Sequence, residues 1–347
     1  GAGGAGIRAA IEAQNAGAKV LVVSKGDYPA GCITAIAMGA ITAAIDSKDS
    51  RNTHYEDTLR GGHYLNNPKL VRLLADLGPE RALDVERYGT EFDKMDGKFD
   101  FFSYPGHALP RAIVAGGRYK GGFFKGIVAE AARLGIGILE HVMVTDLLRQ
   151  DGAVCGALAL EIDTGSLLVL QAKSVIIATG GAGCLFSLTT NLPGITGDGC
   201  ALAYEAGARL SDMEFFQMRA CMIHPAPMRG TAPPADGGVT IGGRFYNGRC
   251  ERYMKKYHPE EAERVTRAEV ARCTQKEILE GRSSPHGGVY GDFSGVPREQ
   301  LAKFKAFMQS CTAANFDPAW QPYEWAPGAH YFMGGIVIND EDAGGVT

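Results

Sequence analysis

The chain has 347 residues, 45% of them hydrophobic and 21% charged, with a formal net charge of −4. That length can bury a sizeable core in two or three compact units. No basic block or stripe is present, which argues against a nucleic-acid partner, and neither a signal peptide nor a transmembrane run is expected. The eight cysteines (Cys32, Cys155, Cys184, Cys200, Cys221, Cys250, Cys273 and Cys311) are scattered and form no C-x-x-C pair. That pattern argues against a zinc or iron–sulfur site within the chain, so no metal is expected, and it fits a reducing compartment.

The first element is a glycine loop, Gly1-Ala2-Gly3-Gly4-Ala5-Gly6. Gly1, Gly3 and Gly6 have the spacing of a dinucleotide fingerprint: a tight turn, close approach to a pyrophosphate, and close packing of helix on sheet. Residues 4–16 follow with helical spacing, and 18–23 (AKVLVV) read as a buried parallel strand. Loop, helix and strand in that order are the second part of a βαβ unit. A plain NAD site calls for an acid at the end of this strand. The sequence has Ser24-Lys25 there, where a hydroxyl can still bond a ribose.

Farther along, the Ala-rich residues 32–45 are expected to be helical, as are several segments within 53–88 and the stretch 123–134. Residues 136–178 carry apolar runs that alternate like an antiparallel hairpin and feed a buried strand, SVIIA. A second glycine signal follows that strand. It comprises VIIATGGAG, with Ala178, Thr179 and Gly180, and TGDG, with Asp198 opening a helix. Residues 225–248 are rich in Pro and Gly and read as irregular, 259–281 as a charged helix starting on Pro and stopping on Gly, 297–310 as another helix, and 330–340 as a strand. The fold class is α/β. The expected division is 1–218 for the first part of a nucleotide-binding domain, 219–328 for an inserted domain, and 329–347 for a return segment.

Together the segments GAGGAGIRAAIEA, VVSKG, HYEDTLRGGHYLNN, IIATGGAG, TGDGCALAYEAGARLSDMEFFQ, ERYMKKYHPE and AHYFMGGIVIN resemble the flavoprotein subunits of the succinate dehydrogenase/fumarate reductase family. L-aspartate oxidase and adenylylsulfate reductase are relatives in that family. The resemblance implies a Rossmann-like FAD-binding domain with an inserted α+β capping domain, and hydride transfer at flavin N5. It places the cofactor against Gly1, Gly3, Gly4, Gly6, Ser24, Lys25, Cys32, Thr34, Ala178, Thr179, Gly180 and Asp198. Membrane-bound relatives attach FAD through a histidine in an S-H-T-x-A-A-like segment. Cys32-Ile33-Thr34 falls there and lacks the nucleophile, so non-covalent FAD is expected.

For the chemistry, the resemblance puts Arg267 at a proton-transfer arginine and His330 at a histidine that donates to a substrate carboxylate. His224 falls near the family's H-P-T segment if the preceding MRAC is an insertion. Three departures stand out: GTAPPADGG replaces a segment rich in Glu, Arg and Gly, Ala268 replaces the acid after the arginine, and Phe332 replaces a threonine. They fit a bulkier or less polar substrate than succinate or fumarate. The implied substrate is a small carboxylate, and the implied partner is an iron–sulfur or other electron-transfer protein. The implied location is cytoplasmic, peripheral to a membrane where partner proteins hold it there. L-aspartate-oxidase-like or adenylylsulfate-reductase-like chemistry is the alternative within enzymes, and a non-catalytic flavin-binding scaffold the alternative outside them. Measured against the family, the chain starts one strand late and stops before a further flavin-binding stretch. It therefore reads as truncated at both ends and is expected to hold FAD poorly by itself.

Overall fold

The structure is a computed structural model that describes residues 1–37, 40–104, 106–116, 122–234 and 241–339. It divides into two compact units. One comprises Gly1–Gly180, Asp198–Ser211 and the chain from Ile336, and the other Gly181–Gly197 and Asp212–Gly335. The second unit thus begins at Asp212 and ends at Gly335, wider than the expected 219–328, and it also takes in the segment that follows the second glycine signal. Residues 340–347 of the expected return segment, and 235–238 of GTAPPADGG, lie outside the described residues.

In the first unit, α1 (Gly4–Asn15) buries Ile7, Ala10 and Ile11, the i, i+3, i+4 stripe that faces a core. After it comes β1 (Leu21–Val23). Next are α2 (Arg51–Gly61), capped by the Ser50 hydroxyl, and α3 (Pro68–Arg87), capped by Asn67 with proline in its first turn. After α4 (Phe124–Arg133) the chain enters β2 (Gly137–Leu139), which pairs parallel with β1 from Leu21↔Gly137 to Val23↔Leu139. Ile7, Ile11, Val22, Phe124 and Ile127 share one apolar cluster. The strands β3 (Val142–Gln150), β4 (Ala153–Glu161) and β5 (Leu167–Gln171) form an antiparallel sheet in the order β5-β4-β3. The helix α5 (Asp198–Glu205) closes the unit's described helices.

Two sequence expectations fail in this unit. The SVIIA segment forms no strand, and Val175 and Ile176 remain 36% and 63% exposed. A strand exists through its ladder, and among the described residues none pairs with 174–178. Among the described residues of the Ala-rich stretch only Ile33–Ile36 form a helical turn, and its N-cap residue Cys32 supplies no side-chain bond to the first free N–H groups.

Arg111, fully buried, organises the floor of this unit. Its Nε and Nη2 donate to Asp49 at 2.8 and 3.1 Å, and its Nη1 donates to Asp57 Oδ2 at 2.7 Å. Asp57 also accepts from the Ala108 N–H at 2.8 Å and pairs with Arg60. Burial disfavours its charge, but these donors outweigh that and hold the Asp57 carboxyl below its ordinary value.

In the second unit the strands β6 (Phe216–His224), β7 (Arg244–Tyr246), β8 (Val289–Asp292) and β9 (Tyr323–Phe332) make an antiparallel sheet ordered β6-β9-β8-β7. Met222, Phe245, Tyr253, Phe293, Tyr323 and Trp325 fill the core around it. The helix α6 (Arg267–Leu279) starts at Arg267, not at the proline near 259. The Thr266 side chain accepts from the Glu269 N–H. That makes Thr266 the N-cap of a T-x-x-E signature, a stronger start than proline alone. The expected helix over 297–310 is two pieces, Arg298–Leu301 and α7 (Lys305–Ala313).

Candidate functional site

The glycine loop carries the geometry of a phosphate cradle. A Cβ on Gly6 would lie 1.8 Å from the Gly1 carbonyl oxygen, and one on Gly1 2.1 Å from that of Ala178. No side chain fits at either place, so these two glycines are demanded by the protein's own packing. Gly3 differs. Its Cβ would meet nothing nearer than Thr34 Oγ1, at 3.5 Å. Space is therefore left beside Gly3, at the start of a helix whose dipole favours an anion. The Gly4 N–H donates to Thr34 Oγ1 at 2.9 Å, which ties the loop to the CIT segment.

The other expected cofactor residues fall around this loop within the first unit. Ala178 packs on Gly1, and Thr179 Oγ1 lies where a Gly199 Cβ would be. Gly180 has φ +80°, a left-handed conformation suited to glycine. Lys25, after β1, and Asp198, at the start of α5, form an ion pair although 173 positions separate them in sequence. The Ser24 hydroxyl donates to the Gly26 carbonyl at 2.8 Å, so it faces a ribose as an acceptor. Cys32 Sγ lies 3.4 Å from the Pro29 carbonyl, and burial pushes its thiol pKa up. Those properties suit packing and not reactivity. The room beside Gly3, the helix N-terminus and the polar rim are what a dinucleotide such as FAD requires.

A second constellation lies on β6 in the other unit. Gln217 and Arg219 are two apart on this strand, so they project from the same face. Gln217 Oε1 accepts from Arg267 Nη1 at 3.3 Å. Arg219 Nη1 lies 3.4 Å from His330 Nε2, and Arg219 Nη2 donates to the Pro233 carbonyl at 3.2 Å. Arg267 and His330 are therefore held by neighbouring positions of one strand face. His330 reaches this face through a β-bulge. Gln217 pairs with Tyr331 and Met218 with Ala329, leaving His330 as the extra residue. Such an extra residue re-aims a side chain.

Residues 189–191 staple the bulge. Thr189 Oγ1 donates to the Ala329 carbonyl at 2.9 Å, Asn191 Nδ2 to the His330 carbonyl at 2.9 Å, and Thr190 Oγ1 lies 2.6 Å from His330 Nδ1. Sequence reasoning does not single out Gln217, Arg219, Thr190 or Asn191. Gln217 stands inside a segment that resembles the family, and Arg219 is hidden when MRAC is read as an insertion. Nothing in the sequence marks Thr190 or Asn191. Phe332 stacks on Phe216 at 4.7 Å, with Phe186 edge-on to the latter. Because Phe216 precedes Gln217, this pair stands on the face opposite Gln217 and Arg219.

His224 is not brought to this group. It ends β6 opposite Glu324, while His330 is the extra residue against the strand's start, between the Gln217 and Met218 pairings. About six residues at roughly 3.3 Å each separate them. His224 stacks on His286 at 4.2 Å, and His286 Nδ1 is 2.7 Å from Glu324 Oε1. Burial opposes ionisation of Glu324, but bonds from Ser284 and His286 keep its carboxyl below the ordinary value. Among the described residues His258, Glu269 and Cys273 bring metal-capable atoms within 4.8 Å of one another. Glu269 is already shared, with His258 Nε2 at 2.7 Å and Arg272 Nε at 3.1 Å. The Arg272 bond is the largest influence lowering its carboxyl to about 2. The group is thus an ion-pair cluster between His258 and the first turns of α6.

A glycine loop opening a helix, beside a parallel strand pair, defines a dinucleotide-binding α/β protein. The family is more specific: residues 1–342 match the FAD binding domain family, and the chain belongs to it. FAD is that family's cofactor. The chain is 38% identical to one subunit of the fumarate reductase (CoM/CoB) of Methanothermobacter marburgensis, over 98% of its own length and 63% of that protein's. It is 34% identical to an L-aspartate oxidase of Caulobacter vibrioides, over 98% of its own length and 66% of that protein's. Among solved structures, Mycobacterium smegmatis Sdh1 in complex with UQ1 superposes with a TM-score of 0.88 at 34% identity, covering all of this chain and 61% of that one. The chain thus spans less than two thirds of the length of these relatives. No helix among the described residues is long and apolar enough to cross a membrane.

Proposed function

We propose that this chain is the catalytic part of an FAD-dependent oxidoreductase that interconverts a small unsaturated carboxylic acid and its saturated form, as a fumarate reductase does. One observation carries the reading: Gln217 and Arg219, side by side on one face of β6, hold Arg267 and His330. Bound FAD would supply hydride transfer at its N5, held by Gly1, Gly3, Gly4, Gly6, Ser24, Lys25, Cys32, Thr34, Ala178, Thr179, Gly180 and Asp198. With Ile33 at the attachment position the cofactor is non-covalent.

The work of the other unit is orientation and charge. Gln217 takes one N–H of the Arg267 guanidinium and fixes the plane of the fork, which matches a carboxylate. Arginine holds its proton tightly, with a pKa above about 12, so Arg267 serves as a proton donor only within a desolvated relay. His224, at the far end of β6, has a structural part in this reading.

The test is anaerobic turnover by the FAD-loaded protein, with reduced viologen dye as donor and fumarate or larger unsaturated acids as acceptor. Arg267→Ala is expected to lower kcat by about a hundred- to ten-thousand-fold while flavin stays bound. Turnover of aspartate with dioxygen, and none with unsaturated acids, would move the chain to the oxidase alternative. Bound flavin without any turnover would leave the scaffold reading. An iron–sulfur protein is the proposed electron donor in the cell.

A further inference from the structure

His330 is contacted at both ring nitrogens, and one of the two contacts constrains its proton. At Nε2 the neighbour is Arg219 Nη1, 3.4 Å away. A guanidinium has only donors, so Nε2 must accept and carries no hydrogen. At Nδ1 the neighbour is Thr190 Oγ1, at 2.6 Å. A hydroxyl can donate or accept, so Thr190 accommodates a hydrogen on Nδ1 without dictating it. The Arg219 contact gives the assignment, hydrogen on Nδ1 and lone pair on Nε2, and the Thr190 hydroxyl can accept from that hydrogen. The bulge makes this possible, because regular alternation would send the ring away from Arg219.

We propose that Arg219 is a positioning residue that fixes His330 as the neutral, Nδ1-protonated imidazole, so that the charged donor at this end of the site is a guanidinium and not a histidine N–H. This rests on the functional reading above and changes one part of it. While Arg219 donates to Nε2, that nitrogen has no proton to offer a substrate carboxylate. The donor role that the resemblance gave to His330 passes to Arg219, whose flat fork and permanent charge hold an anion without needing a particular pH. His330 then contributes shape and an acceptor.

The test uses protein labelled with nitrogen-15 in its histidine rings, read through the couplings between ring nitrogens and carbon-bound protons, which differ between the two tautomers. His330 is identified by the signals lost in His330→Gln. In the unmodified protein at pH 7.5, His330 is expected to show the Nδ1–H pattern. Arg219→Met, which keeps length and removes every donor, is expected to make the Nε2–H form the major one. Arg219→Lys, which retains a donor and the charge, is expected to keep Nδ1–H. Signals of the other histidines report whether each variant is folded.

An Nε2–H or doubly protonated His330 in the unmodified protein would overturn the proposal. So would an Arg219→Met spectrum identical to the unmodified one, which would leave Thr190 in control. In turnover, Arg219→Met is expected to raise KM for the unsaturated acid by on the order of ten- to a hundredfold, with a smaller change in kcat. If no acid is turned over, the functional reading fails, while the ring spectra still decide the role of Arg219.

Discussion

Gly3→Ala separates a glycine kept for the protein from one kept for a ligand. In the structure an added Cβ would meet Thr34 Oγ1 at 3.5 Å and Cys32 Cβ at 3.7 Å, both ordinary contacts. Gly3 is the N-cap of α1 at φ −80°, ψ −175°, a region alanine enters freely. Alanine is a poorer N-cap than glycine, but it also restricts the unfolded chain, and these terms of about 0.5–1 kcal/mol oppose each other. The melting midpoint without FAD should therefore stay within about 2 °C of the original. Binding should change far more, because a methyl at Gly3 fills the space a pyrophosphate needs. Loss of one charge-assisted hydrogen bond costs about 1.5–3 kcal/mol, or roughly 10- to 150-fold in Kd. Flavin fluorescence titration and thermal melting of the same samples give both numbers. Gly6→Ala is the contrast, since its Cβ would sit 1.8 Å from the Gly1 carbonyl oxygen. It should lose stability as well as binding. Unchanged FAD affinity in Gly3→Ala would refute the assignment of this loop to the pyrophosphate.

Other outcomes follow from groups described above. Arg111→Met leaves Asp49 and Asp57 buried without their guanidinium. It should cost about 3–5 kcal/mol, and adding Asp49→Asn and Asp57→Asn should recover part of that in melting experiments. Glu277 is fully buried. The Arg282 bond, opposed by burial and helped by Tyr257, Asn247 and Lys256, holds its carboxyl well below the ordinary 4.5. A depressed carboxyl contributes fully above that value and loses its contribution as pH falls below it. Acid melting curves should therefore drop below pH about 4.5, and Glu277→Gln should flatten that drop while lowering the midpoint at neutral pH. Precipitation of the holoprotein with acid should leave flavin in the supernatant, since Ile33 offers no attachment atom. Yellow colour in the pellet would count against non-covalent binding.

Local signals read well where the chain's immediate neighbours decide the outcome. The glycine loop, α1 and β1 need only spacing and order. The HYEDTLRGGHYLNN segment stands out as a family match, and its Asp57 turns out to clamp Arg111, a residue that no periodicity points to. Signals fail where a distant partner decides. SVIIA has strand composition but, among the described residues, no ladder. The helix expected from Pro259 waits for Thr266, because a cap that bonds an N–H outweighs a proline that merely tolerates the first turn. His224 draws attention away from Arg219 because histidine is the residue type the resemblance asks for. Only the pairing of β6 with β9 shows that position 219, not 224, stands against His330.

The extra residue in β9 makes the composition of this surface a matter of parity as well as identity. In an unbroken strand, odd and even positions belong to different faces, and a substitution changes only what stands at one place. A bulge instead absorbs one extra residue between two stretches of ladder that each keep their partners. The span from Ala329 to Phe332 holds His330 beside Arg219 and Phe332 against Phe216 by virtue of its residue count. Loss of a single residue there would restore the regular ladder, with Phe332 still against Phe216 and Ala329 against Met218, and would remove the extra position that sets His330 beside Arg219. Natural variation at this point is therefore constrained in length before it is constrained in chemistry.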